Sequence, residues 1–182
     1  MHDSPVRFNL SRLLEPDRIA AFGYAWVVCL SVAIAFRFAP APRVLSRIEK
    51  RVRLAIRRRS SGRATLSLRR GDTDHCLDCA IWAVLAASRR VPGATCLVKA
   101  LAGRLAIARC GRSAEIRIGV LPDGDTLIAH AWLELDGLVV IGGEASPKRY
   151  SVLPGLPIGL VTPSRPHVSP TTSLNSPRSE TT

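Results

Sequence analysis

Two residues of this chain, Cys96 and His130, have the types and surroundings to do covalent chemistry together. Cys96 follows Pro92-Gly-Ala-Thr95, a loop that cannot carry a helix through Pro92, and precedes Leu97, Ala100, Leu101, Leu105 and Ala108 at helical spacing. The spacing predicts a helix with Cys96 in its first turn. Unpaired amides and the positive dipole end at such a position favour the thiolate, the nucleophilic form of the side chain. His130 lies in Leu127-Ile-Ala-His-Ala-Trp-Leu-Glu-Leu135, where Leu127, Ala129, Ala131, Leu133 and Leu135 alternate with Ile128, His130, Trp132 and Glu134. The alternation predicts a strand with His130 and Trp132 on one face. A thiol at a helix start and an imidazole on a later strand can act as nucleophile and base in a thiol hydrolase or acyltransferase. Each also has a plainer reading: Cys96 as a small buried hydrophobe, His130 as a hydrogen-bonded core or surface residue.

The surrounding elements must bring these two groups together. Asp74 to Ser88 reads as a helix capped by Asp72, Thr73 or Asp74, with Cys79, Trp82, Ala83 and Ala86 placed to pack against the Cys96 helix. Gly111 supplies a stop after that helix, and Ala114 to Leu121 alternates as a strand. Asp123-Gly124 reads as a hairpin turn into the His130 strand, and Asp136-Gly137 as a second turn into Leu138 to Ile141. Three antiparallel strands after a helical half make an α+β order. Upstream, Glu15-Pro-Asp-Arg18 reads as a helix start, and Ile19 to Phe36 carries no charge, which meets the lower length limit for a membrane span. A buried or partner-facing helix is the preferred reading of that segment. Pro40 and Pro42 break it. Val44, Leu45, Ile48, Val52, Ala55 and Ile56 then recur at helical spacing against arginines and lysine, giving a basic amphipathic helix. Residues 59–73 read as a polar connection with a short alternating piece at 64–68. Residues 162–182, rich in Pro, Ser and Thr, read as a disordered tail.

Val91-Pro-Gly-Ala-Thr-Cys-Leu97, the helix running on to Gly111, Ile116 to Val120, and Ala129-His-Ala-Trp-Leu-Glu134 together resemble the lasso peptide biosynthesis B proteins. These are transglutaminase-like, papain-related leader peptidases, and the similarity runs from about Trp82 to Tyr150. The resemblance implies an α+β fold with a papain/transglutaminase-like core, a helical N-terminal half and a small antiparallel sheet. With the pattern along the chain, this gives a helical, basic extension over residues 1–70, a transglutaminase-like cysteine peptidase domain over 71–160 and a disordered tail over 161–182. It implies removal of the leader from a ribosomally made precursor, with Cys96 as nucleophile and His130 as base and then acid, before macrocyclisation by a partner cyclase similar to asparagine synthetase. The family places an aspartate about twelve residues after the histidine, where this chain has Gly142. With Asp136-Gly137 as a two-residue turn, His130 faces Gly143, so Glu144 reaches the imidazole only if a bulge changes its facing. Glu144 is therefore the candidate third residue, with a Cys-His dyad or a backbone carbonyl as alternatives. Asp136 lies about 20 Å along the strand at roughly 3.3 Å per residue, too far to serve. Trp132 shields the imidazole or shapes the substrate cleft, or is simply core.

No metal or organic cofactor is called for. His75, Cys76 and Cys79 invite a zinc or redox reading, but no second ligand pair follows at metal spacing. Five cysteines are an odd number, and no cleavable signal is evident, so reduced thiols in a cytoplasm are expected. No winged-helix recognition module is legible in the first 70 residues, which implies a separate leader-recognition protein. The net charge of +12 is concentrated in residues 37–70, where twelve Arg or Lys face Glu49 alone. Such a block could bind nucleic acid, an anionic membrane surface or an acidic partner, or form a solvated face. Aromatic residues are nearly absent from it, so no stacking platform for nucleic acid is visible. Peripheral membrane contact through residues 19–59 stays open. The competing functional readings are another transglutaminase-like thiol enzyme and a non-enzymatic basic binding module.

Overall fold

In the computed structural model, which describes residues 16–62, 70–143 and 146–153, the elements are arranged about one helix, α4 (Cys96–Arg109). Thr95 caps it, its Oγ1 accepting from the Val98 amide at 3.4 Å, and residues 100–108 are all buried. A fourteen-residue helix buried on every side is hydrophobic all round, which explains its small polar content. Gly111, at φ +79°, ends the following turn, as expected of a helix stop.

Three long helices surround α4. α1 (Pro16–Phe38) packs on α3 (Arg70–Ser88) and on α4, and α2 (Ala41–Gly62) packs on α4 through Val44, Leu45, Ile48 and Val52. α3 begins four residues before the first residue of the expected helix. Pro40 and Pro42 mark the break as predicted, with Pro42 tolerated in the first turn of α2 because its missing N–H has no helical partner there. Glu49, the single acid of α2, turns inward to Arg104 of α4 at 2.9 Å. The alternating piece at 64–68 and the tail from Pro154 lie outside the described residues.

The sheet has strand order β3-β2-β1-β4, all antiparallel: β1 (Glu115–Asp123), β2 (Thr126–Leu135), β3 (Leu138–Ile141) and β4 (Ser151–Val152). The three predicted strands and the Asp136-Gly137 turn are present, while the first hairpin turns at Gly124-Asp125, one residue later than expected, because Asp123 still pairs with Thr126. β4 and the one-turn helix α5 (Ser146–Arg149) before it were not foreseen. One sheet face, carrying Ile116, Ala131, Leu133 and Ile141, joins the core with α4. Gly103 makes that approach close: a Cβ there would stand 2.4 Å from Ile141 Cδ1 and 2.9 Å from Leu133 Cδ2.

One expectation is corrected. The thiols are not all reduced, because Cys76 of α3 and Cys110, the C-cap of α4, are joined in a disulfide. Position explains the pairing: α3 and α4 lie side by side, with Cα atoms of the two residues 5.8 Å apart, inside the range a disulfide spans. The bond removes Cys76 from the zinc reading. Cys79 takes no part in a disulfide, its Sγ lies 3.6 Å from His75 Nε2, and among the described residues no three potential ligands gather.

Candidate active site

Cys96 is the first residue of α4 and partly exposed. The cap takes the Val98 amide, and the Lys99 backbone amide donates to the Thr95 carbonyl at 3.0 Å. The amides of Cys96 and Leu97 have no acceptor among the described residues. Two unpaired N–H groups beside a thiol are the donors that a tetrahedral oxyanion needs.

His130 sits on β2, opposite Gly119 of β1. Its Nε2 lies 3.0 Å from the Gly142 carbonyl oxygen. A carbonyl only accepts, so Nε2 carries the hydrogen and, in the neutral ring, Nδ1 keeps the lone pair a base requires. The Ser146 hydroxyl donates to the same oxygen at 2.8 Å, which fixes the carbonyl. Gly142 is the position where the resembling family has its aspartate. Its φ of +113° lets the chain leave β3 with the carbonyl turned to the imidazole, and a Cβ there would stand 2.5 Å from Trp132 Cβ.

Aromatic rings hold the imidazole from the other directions. Tyr150 stacks on it with ring centroids 5.0 Å apart, and Trp132 lies 6.3 Å away. Gly119 admits both, since a Cβ there would come within 2.7 Å of Tyr150 Cβ and 3.0 Å of the Trp132 ring. The indole N–H donates to Glu134 at 2.8 Å, and Glu134 accepts from Arg117 at 3.1 Å. Trp132 is 0% exposed. Expected among the substrate contacts, it has no surface to offer a substrate; it backs the imidazole as packing. Tyr150 was missed by sequence reasoning, because the two-residue strand that follows it has no periodicity to announce it.

α4 packs against β2, the strand that carries His130, with Gly103 set against Leu133. No hydrogen bond joins Cys96 to another side chain among the described residues. Catalytic hydrogen bonds are often long in substrate-free enzymes and tighten in the complex.

Glu144 lies outside the described residues. The bulge its candidacy required is present: Leu135 pairs with Leu138 and Glu134 with Val139, then Leu133 pairs with Ile141 across a shift in register. The described partner of the imidazole is the Gly142 carbonyl, the backbone alternative. Away from this site, burial pushes the Cys29 thiol above its ordinary range, with nearby Lys99 opposing.

Residues 32–154 match the family model for the Transglutaminase-like superfamily. A search of curated proteins and of solved structures finds no match. The matched span begins inside α1, runs through α2, α3 and α4, and includes Cys96, His130, Gly142 and Tyr150. With two thirds of its length in that match, the chain belongs to the transglutaminase-like superfamily.

Proposed function

We propose that this chain is a cysteine peptidase that removes the leader from the precursor of a lasso peptide. Cys96 attacks the scissile carbonyl, and His130 takes the thiol proton through Nδ1 and returns it to the departing amine. A thioester to the core-side fragment cannot form in this direction; the leader's acyl carbon is the one bonded to sulfur, and water then releases the leader's carboxylate. The freed N-terminal amine of the core is the group a cyclase similar to asparagine synthetase joins to an acidic side chain. A separate leader-recognition protein delivers the precursor, and the reaction takes place in the cytoplasm. No metal or organic cofactor enters these steps.

The observation that supports this reading best is the His130 Nε2 hydrogen bond to Gly142 O, at the aspartate position of the resembling family. It leaves Nδ1 as the free base, the tautomer a thiol nucleophile needs. The test mixes the purified chain with candidate precursor and recognition proteins from its genomic neighbourhood and follows leader release by mass spectrometry. Cys96→Ala should lower release at least about 10⁴-fold, the scale lost when a nucleophile is removed, with an unchanged circular dichroism spectrum. Cleavage retained in that variant rejects Cys96 as nucleophile. Transfer of the acyl group to an added amine, with no hydrolysis, would favour an acyltransferase instead.

A further inference from the structure

α1 keeps most of its apolar surface out of the core. Between Arg18 and Arg37 it has no charged residue, yet only Ala25, Cys29 and Val32 are buried, and just 17% of its most apolar eighteen residues lie inside. Ile19 is 57% exposed, Val27 55%, Ile34 48% and Phe38 84%. At 3.6 residues per turn Val27, Ile34 and Phe38 fall on the side opposite Ala25, Cys29 and Val32, with Ile19 on its flank. From Val27 to Phe38 the strip is about 16 Å long at 1.5 Å per residue. Contiguous exposed apolar surface of this kind marks a surface that something covers.

The neighbouring charge says what covers it. α1 carries Arg37 in its last turn, ends at Phe38 and turns through Ala39 and Pro40 into α2, whose apolar stripe faces α4. Glu49 is turned to the buried Arg104, so the outer face of α2 presents Arg43, Arg47, Lys50, Arg51, Arg57 and Arg58 without a compensating acid. An apolar strip joined to a purely cationic face fits an anionic bilayer: the apolar side chains enter the acyl boundary and the cations meet lipid phosphates. A second copy would bring two such cationic helices together. Crossing the membrane would strip α1 from α3 and α4, against which its other side is packed.

We propose that this chain binds the surface of anionic phospholipid bilayers through α1 and α2, with α1 lying in the headgroup plane. The strip continues into a groove of about 390 Å³ between Ile34, Phe38 and the Pro92-Gly93 loop, three residues before Cys96. Bound this way, the start of α4 sits at the lipid surface. The proposal does not depend on the peptidase reading.

The test is flotation of the full chain with vesicles of phosphatidylcholine alone, or with one third phosphatidylglycerol, in low and high salt. The wild-type chain should float with the anionic vesicles, weakly with the neutral ones, and less in high salt. The double variant Val27→Asp, Ile34→Asp, at exposed positions, should lose binding by roughly tenfold or more, and so should Arg47→Glu, Arg51→Glu. Circular dichroism checks that each variant is folded, and the lipid and salt dependence of the wild type stands as a readout if one is not. Failure to float with anionic vesicles, equal binding to both vesicle types, or a stable dimer whose formation conceals the α1 strip overturns the proposal.

Discussion

His130 is held by a neutral acceptor, and this limits what its ring is given. An aspartate would both orient the imidazole and stabilise the imidazolium that forms on proton transfer. The Gly142 carbonyl orients the ring in the same tautomer but contributes only a dipole. The position also resists change, because any side chain at φ +113° is strained and its Cβ would meet Trp132 at 2.5 Å. Gly142→Ala should therefore destabilise the fold by about 1–3 kcal/mol and cut precursor cleavage at least tenfold, as the carbonyl turns away from Nε2. Thermal melting and the cleavage rate measured on the same preparation check both effects. Thiol reactivity follows exposure in the same way. Cys96 is partly exposed, whereas burial holds Cys29 protonated above the ordinary thiol range. Iodoacetamide at neutral pH should modify Cys96 first. Cys29 should react only as the pH rises towards its raised value or as the fold opens, and peptide mapping of the alkylated sites reads the order.

At the scale of elements, α2 and α4 are clamped by a charge pair within their interface. Arg104 is 5% exposed and Glu49 15%, so removing the carboxylate leaves a buried guanidinium without its counter-charge. Glu49→Gln should cost on the order of 3 kcal/mol, read as a lowered unfolding midpoint in urea with an unchanged slope. The pair could not be matched from the sequence, since Glu49 stood out only as the one acid among the cations of residues 37–70 and nothing in the spacing singled out Arg104. Much else was legible. Pro92-Gly93 before a helical repeat located the start of α4, Asp136-Gly137 located the second hairpin turn, and Asp123-Gly124 located the first to within one residue. Those signals are local, and local signals survive folding. The bulge at Leu133/Glu134 is different, because one extra residue in β3 leaves the alternation of β2 untouched. So is Tyr150, which reaches His130 only because α5 and β4 return the chain to β1. A backbone carbonyl at Gly142 leaves no mark in side-chain chemistry at all; glycine there showed only that the aspartate was missing.

For the molecule as a whole, the Cys76–Cys110 bond fastens the helical layer to the end of the helix that starts with Cys96. It closes a loop with a sequence separation of 34 residues, and a loop of that length stabilises by about 3–4 kcal/mol through the entropy it removes from the unfolded chain. Composition gave no hint of it, because the two cysteines are far apart in sequence and the total is odd. For a domain of this size, that stabilisation corresponds to a melting shift of roughly 6–16 °C at 2–4 °C per kcal/mol. The paired variant Cys76→Ala, Cys110→Ala should melt lower than the wild type under non-reducing conditions and should be insensitive to added reductant. The wild type should fall towards it when reductant is added. If the two proteins melt alike without reductant, the pair is a packed dithiol and the link between α3 and α4 is noncovalent. If they differ, the core that positions Cys96 depends on an oxidising history, since such bonds persist where thiol reductants are scarce, and the cytoplasmic setting proposed for the reaction would have to supply that history.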